Sequence, residues 1–221
     1  MTIQLFATPV SATSRQRWGT GAAACGINDH VLGAIAYSCC SVYWAAITMR
    51  QVQVYPPNPH WGEDFAAEAA QIALALGDNV VQVHHIGSTA IPNIHAKPVI
   101  DLLVEVNDIH QVDSRNAKLI ALGYEVMGEF GLPGRRYFHK DNAEGYRTHH
   151  VHTYQAGSFE IVRHLAFRDF MIAHPDCAQQ YSDLKRALAA QYPEDIDGYM
   201  DGKDHFVKAM EQRALQWRGR A

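Results

Sequence analysis

Cysteine is scarce in this sequence. The 221 residues contain four cysteines, and no two of them form a CxxC pair or a spacing typical of zinc ligands: Cys25, Cys39, Cys40 and Cys177. The absence of such spacings argues against a zinc-stabilised module and against a redox motif of the CxxC type. A reduced setting is the simpler interpretation, and we therefore expect the protein to be cytoplasmic.

An excess of positive charge is also absent. Lysine and arginine number 19 against 23 aspartate and glutamate, so the net charge is −4 with histidine neutral, and the pI is near 6.3. This balance argues against a protein whose main role is to neutralise a nucleic-acid backbone, and we expect no nucleic-acid partner. Charged residues at 19% and hydrophobic residues at 48% are ordinary values for a globular domain.

Charge is nearly missing from the first 48 residues, where Arg15, Arg17 and Asp29 are the only charged side chains. The run 31–49 has no charge for 19 residues, which approaches the length of a membrane-spanning helix. A signal sequence or anchor is one interpretation. The other is a disordered extension, or sequence upstream of the true start, because the run lacks a periodic core pattern. We predict that residues 49–221 form the folded domain and contain no membrane segment.

Hydrophobic residues recur at regular spacing from Met49 onward. Segments with the period of a strand alternate with segments that have the period of a helix. Strands are predicted at 51–55, 80–86, 99–106, 124–130, 135–139 and 148–155. Helices are predicted at 61–76, 108–122, 158–173, 175–192 and 199–217. This order predicts an α/β fold of the α+β type, in which helices cover a mixed sheet and a helical segment forms the C-terminal third.

The triplet Gly87-Ser88-Thr89 follows directly after the strand predicted at 80–86. Glycine lets the backbone turn sharply and approach a ligand closely, and the two hydroxyl groups add hydrogen-bond donors. Such a turn predicts a phosphate site. The same triplet also occurs in ordinary turns that connect a strand to a helix, and that interpretation stays open.

Asp101 stands within the apolar strand predicted at 99–106. A carboxylate at such a position costs free energy unless it is paired or binds a metal ion. One interpretation is Mg²⁺ held by Asp101 and by the phosphates of a ligand. The alternative is a buried aspartate that is paired with a basic neighbour such as Lys97 or Arg147.

Three histidines follow in His149-His150-Val151-His152. Because side chains alternate along a strand, His150 and His152 share one face and His149 lies on the other. Two histidines on one face can coordinate a metal ion or bind phosphate. They can equally be hydrogen-bonded residues of the core or the surface.

Basic residues accumulate in the second half of the chain. Four lie around a predicted hairpin and three along one predicted helix: Arg135, Arg136, Lys140 and Arg147, then Arg163, His164 and Arg168. Together they suggest one cationic wall that faces the Gly87 turn and suits a triphosphate or another polyanion. Each residue taken alone is better explained by a solvated face with acidic partners such as Glu160 and Asp169.

Several motifs, in this order, resemble the signature of the GrpB family. They are His85-Ile86-Gly87-Ser88-Thr89-Ala90, Ala96-Lys97-Pro98-Val99-Ile100-Asp101, residues 128–138, Arg147-Thr148-His149-His150-Val151-His152, residues 163–170, Tyr181 with Leu184-Lys185, and Tyr199 with Asp201-Gly202-Lys203. The resemblance extends from about residue 49 to residue 215, which is nearly the whole chain beyond the first 48 residues.

The resemblance implies a nucleotidyltransferase-like core in which a Gly-Ser turn and nearby carboxylates bind a nucleoside triphosphate and Mg²⁺. It also implies a relation to the GrpB-like domain fused behind dephospho-CoA kinase in some bacteria. Asp101 is then the metal-binding residue and acts in catalysis with His150 and His152. The ligand-binding residues are Gly87, Ser88, Thr89, Lys97, Arg135, Arg147 and Arg168. No GxxxxGK[ST] loop occurs, so kinase activity is not predicted.

One position departs from the pattern of active nucleotidyltransferases, which place a second carboxylate two residues after the first. That position is Leu103 here. Glu105 shares the face of Asp101, but four residues of strand span roughly 13 Å, too far for both to hold one ion. His150 or His152 would then complete a single-ion site.

Three hypotheses about function stay open at this stage. The first is an enzyme that transfers a nucleotidyl group to a small acceptor. The second is a non-catalytic module that binds a nucleotide or a CoA-type ligand in a regulatory or scaffolding role. The third, and weakest, is a structural protein in which the turn and the histidines merely pack.

Overall fold

The computed structural model describes residues 51–220. The predictions for residues 1–48, and the domain boundary at residue 49, lie outside the described residues. Among the helices of residues 51–220, none combines the length and the apolar character that a membrane crossing needs.

Five strands form one mixed sheet. They are β1 (Val80–Ile86), β2 (Ile100–Val106), β3 (Glu125–Val126), β4 (Arg136–Asp141) and β5 (Arg147–Gln155), in the spatial order β1-β2-β5-β4-β3. The pair β2–β5 is parallel, and every other neighbouring pair is antiparallel. This arrangement places β2 and β5 side by side in the middle of the sheet.

Six α-helices accompany the sheet in the described part of the chain. They are α1 (Trp61–Leu76), α2 (Ile109–Asp113), α3 (Asn116–Ala121), α4 (Phe159–Ala173), α5 (Pro175–Gln191) and α6 (Ile196–Arg218). The last three follow β5 without a further strand. The predicted α/β architecture, with a mixed sheet and a helical C-terminal segment, is confirmed.

The central strand β2 is buried on both faces, as its nearly continuous apolar sequence predicts. On one face, Leu102 and Val104 belong to the core that contains Ile72 of α1. On the opposite face, Leu103 packs against α4, and Asp101 projects from the same side of the strand because side chains alternate. This second face carries the candidate site.

The C-terminal helices are joined to one another through buried groups. Arg163 of α4 lies 3.0 Å from Glu211 of α6, and its guanidinium also contacts Glu160 at 2.5 Å. Leu188 and Tyr199 form a further cluster with Val52 from the segment that precedes α1. The helices therefore pack as a group beside the sheet.

Three predicted elements differ from the structure. The strand predicted at 51–55 is reduced to a single bridge between Tyr55 and Ala96. The helix predicted at 108–122 is broken, because the Ser114 hydroxyl bonds to the Gln111 carbonyl and competes with the helical hydrogen bonds. The strand predicted at 124–130 contains only Glu125–Val126, because Gly128 and Phe130 take positive φ values that bend the chain into a turn.

Candidate functional site

The turn after β1 brings its backbone against Asp101. Gly87 has a φ of 71° and leads into a short 3-10 turn at Ser88–Ala90. A Cβ atom at position 87 would overlap the Asp101 side chain, 2.8 Å from its Cγ and 2.9 Å from its Cβ. Glycine is therefore required here both by the backbone conformation and by the close approach.

Thr89 stabilises this turn from the inside. It is buried, its hydroxyl lies 3.0 Å from the His85 ring, and it donates to the Val99 carbonyl at 3.3 Å. The predicted ligand contact of Thr89 would have to compete with these bonds, whereas Ser88 is only half-buried. Of the two hydroxyl groups, Ser88 is the better placed to contact a ligand.

Asp101 is held by a histidine from the neighbouring strand. In the parallel register Asp101 is opposite His150, and its Oδ1 lies 2.8 Å from His150 Nδ1. Burial alone would raise the pKa of Asp101, but the hydrogen bond and electrostatic interaction with His150, with smaller contributions from His152 and Lys97, hold it below its ordinary value. The pairing partner is thus His150. Arg147, which the sequence offered as an alternative partner, binds Asp141 instead.

His152 completes a cluster of three potential metal ligands. Each residue of the cluster offers one donor atom, and these three atoms, from Asp101, His150 and His152, all lie within 4.8 Å of one another. His152 Nδ1 is buried and has no hydrogen-bond partner among the described residues, and burial lowers the pKa of His152 well below its ordinary value. His149 lies on the other face, 3.9 Å from Glu68, so the predicted division of the three histidines is confirmed.

A group of three lysines lies beside the turn, and we call Lys97, Lys185 and Lys203 the lysine cluster. Lys185 Nζ lies 4.4 Å from the centre of the Tyr181 ring. The Nζ atoms of Lys97 and Lys203 lie 5.6 and 5.1 Å, respectively, from the centre of the Tyr199 ring. Lys185 is 1% exposed, and its Nζ has no hydrogen-bond partner in the described part of the chain.

Burial and mutual repulsion lower the pKa of two members of the lysine cluster. Burial, and then the charge of Lys203, lower the pKa of Lys185 to about 7. Burial, and then the charge of Lys97, lower the pKa of Lys203 to about 7, with Asp101 opposing the shift. Lys185, whose buried ammonium group has no hydrogen-bond partner among residues 51–220, would be stabilised by a compensating negative charge.

Tyr181 connects the lysine cluster to the turn. Burial raises the pKa of the Tyr181 hydroxyl to about 12, and its interaction with the side chain of Ser88 opposes that shift. The same residue of α5 therefore contacts Lys185 through its ring and Ser88 through its hydroxyl. The turn, Asp101 and the lysine cluster form one continuous site.

The arginines do not assemble into the single cationic wall that the sequence suggested. Lys140 binds Glu68 on the α1 face of the sheet, at 2.5 Å, whereas the Arg135 guanidinium lies over the Tyr137 ring on the opposite face, at 4.9 Å. Arg163 is buried between α4 and α6. Strand alternation separates Lys140 from Arg135, because successive positions point to opposite faces of the sheet, and Arg163 lies on a helix.

The three arginines predicted to bind ligand all have partners within the protein. Arg135 donates to the carbonyls of Glu129 and Phe130, and Arg147 pairs with Asp141. Arg168 donates to the His85 carbonyl at 3.0 Å, next to the turn, and pairs with Asp169. Of these three arginines, Arg168 contacts the residue that is nearest to the turn in sequence, because His85 lies two residues before Gly87.

Residues 51–213 match the family model described as GrpB protein. The chain belongs to the GrpB family. The UPF0157 protein YqkA of Bacillus subtilis is 45% identical over 169 residues, which cover 76% of this chain and 49% of YqkA. The crystal structure of the conserved protein GrpB from Enterococcus faecalis aligns with a TM-score of 0.72 at 46% identity and covers 75% of this chain and 99% of that one.

A second kind of relative contains the GrpB domain as part of a longer protein. Dephospho-CoA kinase of Mycolicibacterium paratuberculosis is 27% identical over 194 residues, covering 77% of this chain and 48% of that protein. The relation to dephospho-CoA kinases that the sequence motifs implied is therefore confirmed. The chain spans about half the length of both YqkA and this kinase.

The motifs that placed the chain in the GrpB family converge in space on the site. The sequence assigned roles to Gly87 and Asp101 but none to Lys185 and Lys203. A usable signal was present, because Tyr181 and Lys185, like Tyr199 and Lys203, are four residues apart on one helix face. A repeated Tyr-x-x-x-Lys pattern on two helices predicts paired ring–ammonium contacts, and the structure contains both.

Proposed function

We propose that this chain binds a nucleoside triphosphate, with its phosphates between the Gly87–Ser88 turn and the lysine cluster. One observation carries the proposal: Lys185 is buried beside other ammonium groups without a hydrogen-bond partner among residues 51–220. A buried cation in this state costs several kcal/mol unless an anion compensates it. A polyphosphate supplies several negative charges along one line and so suits three ammonium groups.

The turn contributes the remaining phosphate contacts in this proposal. Gly87 lets the chain turn sharply at the end of β1, and the half-buried Ser88 side chain, which interacts with Tyr181, lies where it can contact a phosphate oxygen. Arg135, Arg147 and Arg168 offset charge from further away, because each is already bound within the protein. A nucleophilic atom of a small acceptor then attacks the α-phosphorus, the bond between the α- and β-phosphates breaks, and pyrophosphate leaves. We expect the chain to act in the cytoplasm.

The expected Mg²⁺ fits this donor set poorly. Mg²⁺ takes oxygen ligands in near-octahedral geometry, and Asp101 is the single carboxylate in the cluster, beside two imidazoles. The place of a second carboxylate is taken by Leu103, which is fully buried in the core between β1, β5 and α4. No step of the proposed reaction is therefore assigned to Mg²⁺.

A second function is favoured by Leu103, which removes the usual partner of the metal-binding carboxylate. It is a non-catalytic module that binds a nucleotide or a CoA-type ligand in the same pocket and acts on a partner. The dephospho-CoA kinase relative supports a phosphate-rich ligand of the latter type. Both functions require the ligand to bind at the lysine cluster, but only the first includes a catalysed reaction.

Thermal shift measurements test the binding step. We expect ATP, GTP, CTP or UTP to raise the melting temperature of the full chain by mass action, and Lys185→Met to lose most of that increase. Methionine keeps the apolar volume and removes the charge. Lys118→Met is the matched control, because Lys118 is exposed on α3 and should leave ligand stabilisation unchanged.

Two outcomes would count against the proposal. One is that no nucleotide, CoA precursor or inorganic triphosphate stabilises the parent protein, and the other is that Lys185→Met retains the full shift. Incubation with α-labelled triphosphates and candidate acceptors then separates the two functions. Labelled product supports transfer, and stabilisation without product from any acceptor supports the module.

A further inference from the structure

Asp101, His150 and His152 form a rigid set of three donors. Asp101 and His150 are opposite each other in the parallel pair β2–β5, and His152 lies two residues further along the same face of β5. Their donor atoms lie within 4.8 Å of one another. Because two central strands hold all three side chains, their spacing does not depend on a flexible loop.

A second observation points to a ligand at this place. His152 Nδ1 is buried and has no hydrogen-bond partner in residues 51–220, although buried polar atoms are nearly always bonded. The neighbouring contact between His150 Nδ1 and Asp101 Oδ1 is 2.8 Å. An ion that binds both of these atoms would displace the proton they share, and it would also supply a partner for His152.

The chemistry of the donors selects the class of ion. Imidazole nitrogen suits ions such as Fe²⁺, Ni²⁺, Cu²⁺ and Zn²⁺, whereas Mg²⁺ and Ca²⁺ prefer carboxylate, carbonyl and water oxygens. Two imidazoles and one carboxylate, with further coordination positions left open, are a donor set known from transition-metal sites. We propose that Asp101, His150 and His152 bind one divalent transition-metal ion in preference to Mg²⁺.

The surroundings agree with this assignment. The Tyr137 ring centre lies 5.2 Å from that of His152 and 5.8 Å from that of His150, so an aromatic side chain limits the mobility of both imidazoles. A divalent ion bound by one carboxylate and two neutral imidazoles gives the site a net charge of +1. That positive charge lies beside the Gly87 turn and is open to an anionic ligand.

Metal binding can be measured without any nucleotide. The full chain is stripped with a chelator and titrated with Mn²⁺, Co²⁺, Zn²⁺ and Mg²⁺ by calorimetry. We expect one equivalent of a transition-metal ion to bind at least ten times more tightly than Mg²⁺. Asp101→Asn and His150→Gln should each weaken this binding at least tenfold, and His149→Gln, on the opposite face of the same strand, should not.

NMR spectroscopy of the parent protein tests the same site without a substitution, and so does not depend on the folding of a variant. Paramagnetic Mn²⁺ should broaden the ring-proton NMR signals of His150 and His152 before those of the other histidines. Equal or tighter binding of Mg²⁺, unchanged binding in both site variants, or broadening of other histidines first would each overturn the proposal. Because no nucleotide is present, none of these results bears on the lysine cluster.

Discussion

Gly87 and Asp101 are in such close contact that position 87 has no room for a side chain. A Cβ atom there would lie 2.8 Å from the Cγ and 2.9 Å from the Cβ of Asp101, and the φ of 71° is one that L residues rarely adopt. The contact joins the end of β1 to β2 and so couples the Gly87 turn to the cluster of Asp101, His150 and His152.

Gly87→Ala should destabilise the protein for both reasons, steric overlap and backbone strain. We expect the free energy of unfolding to fall by about 1–3 kcal/mol, measured by urea denaturation. Gly62→Ala is the control, because Gly62 lies in α1 and a Cβ atom added there would meet no other atom within 4 Å. This control should be neutral or slightly stabilising. Equal effects in the two variants would contradict the close contact.

The free energy of unfolding should rise with pH because of the lowered pKa of Lys185. Its pKa is lowered from 10.5 to about 7 in the folded state, so between these values the unfolded chain binds more protons than the folded one. Lys185→Met should be more stable than the parent near pH 7. That difference should shrink toward pH 9 by about 1 kcal/mol per pH unit, measured by urea denaturation at each pH.

The same series on Lys118→Met provides the comparison for Lys185. Lys118 is exposed, so its removal should produce a difference from the parent that does not vary with pH. A pH-independent difference for Lys185→Met as well would mean that Lys185 is charged and compensated in the folded protein.

The buried pair Arg163–Glu211 should behave as a unit. Arg163→Met leaves Glu211 as a buried carboxylate without its partner, and we expect a loss of about 3–5 kcal/mol in the free energy of unfolding. Adding Glu211→Leu should restore much of that loss, because the most buried unpaired carboxylate is then removed and Glu160 is partly exposed to solvent. Strict additivity in this double-mutant cycle would show that the two groups are not coupled.

An exposed pair on the same helix sets the scale for this cycle. Lys208 and Asp204 are 2.6 Å apart but substantially exposed, so Lys208→Met should change stability by less than about 1 kcal/mol.

Asp101→Asn should separate ligand binding from turnover. The asparagine keeps the shape of the side chain, so the fold and the thermal shift with a nucleoside triphosphate should be retained, because the lysine cluster is intact. Nucleotidyl transfer should fall to background in the labelled-product assay. Transfer at the parent rate in this variant would remove Asp101 from the reaction.

Much of the fold follows from local patterns in the sequence. The helix Trp61–Leu76 and the strand Val80–Ile86 have the bounds that hydrophobic periodicity predicts. The two faces of β5 also follow from alternation, which places His149 apart from His150 and His152. Two of the three failures, at 51–55 and 124–130, occur where few residues form the element, because short strands depend on pairing rather than on their own sequence.

By itself, the sequence determined the family, the Gly87 turn, and the placement of Asp101 in a buried strand, because each depends on residues close together in the chain. The tertiary structure decided which basic residues meet at that turn. It brought Lys97, Lys185 and Lys203 together and dispersed the arginines over two faces of the sheet. The reason is physical, since strand order and helix docking are set by long-range packing, which the periodicity of a single segment does not encode.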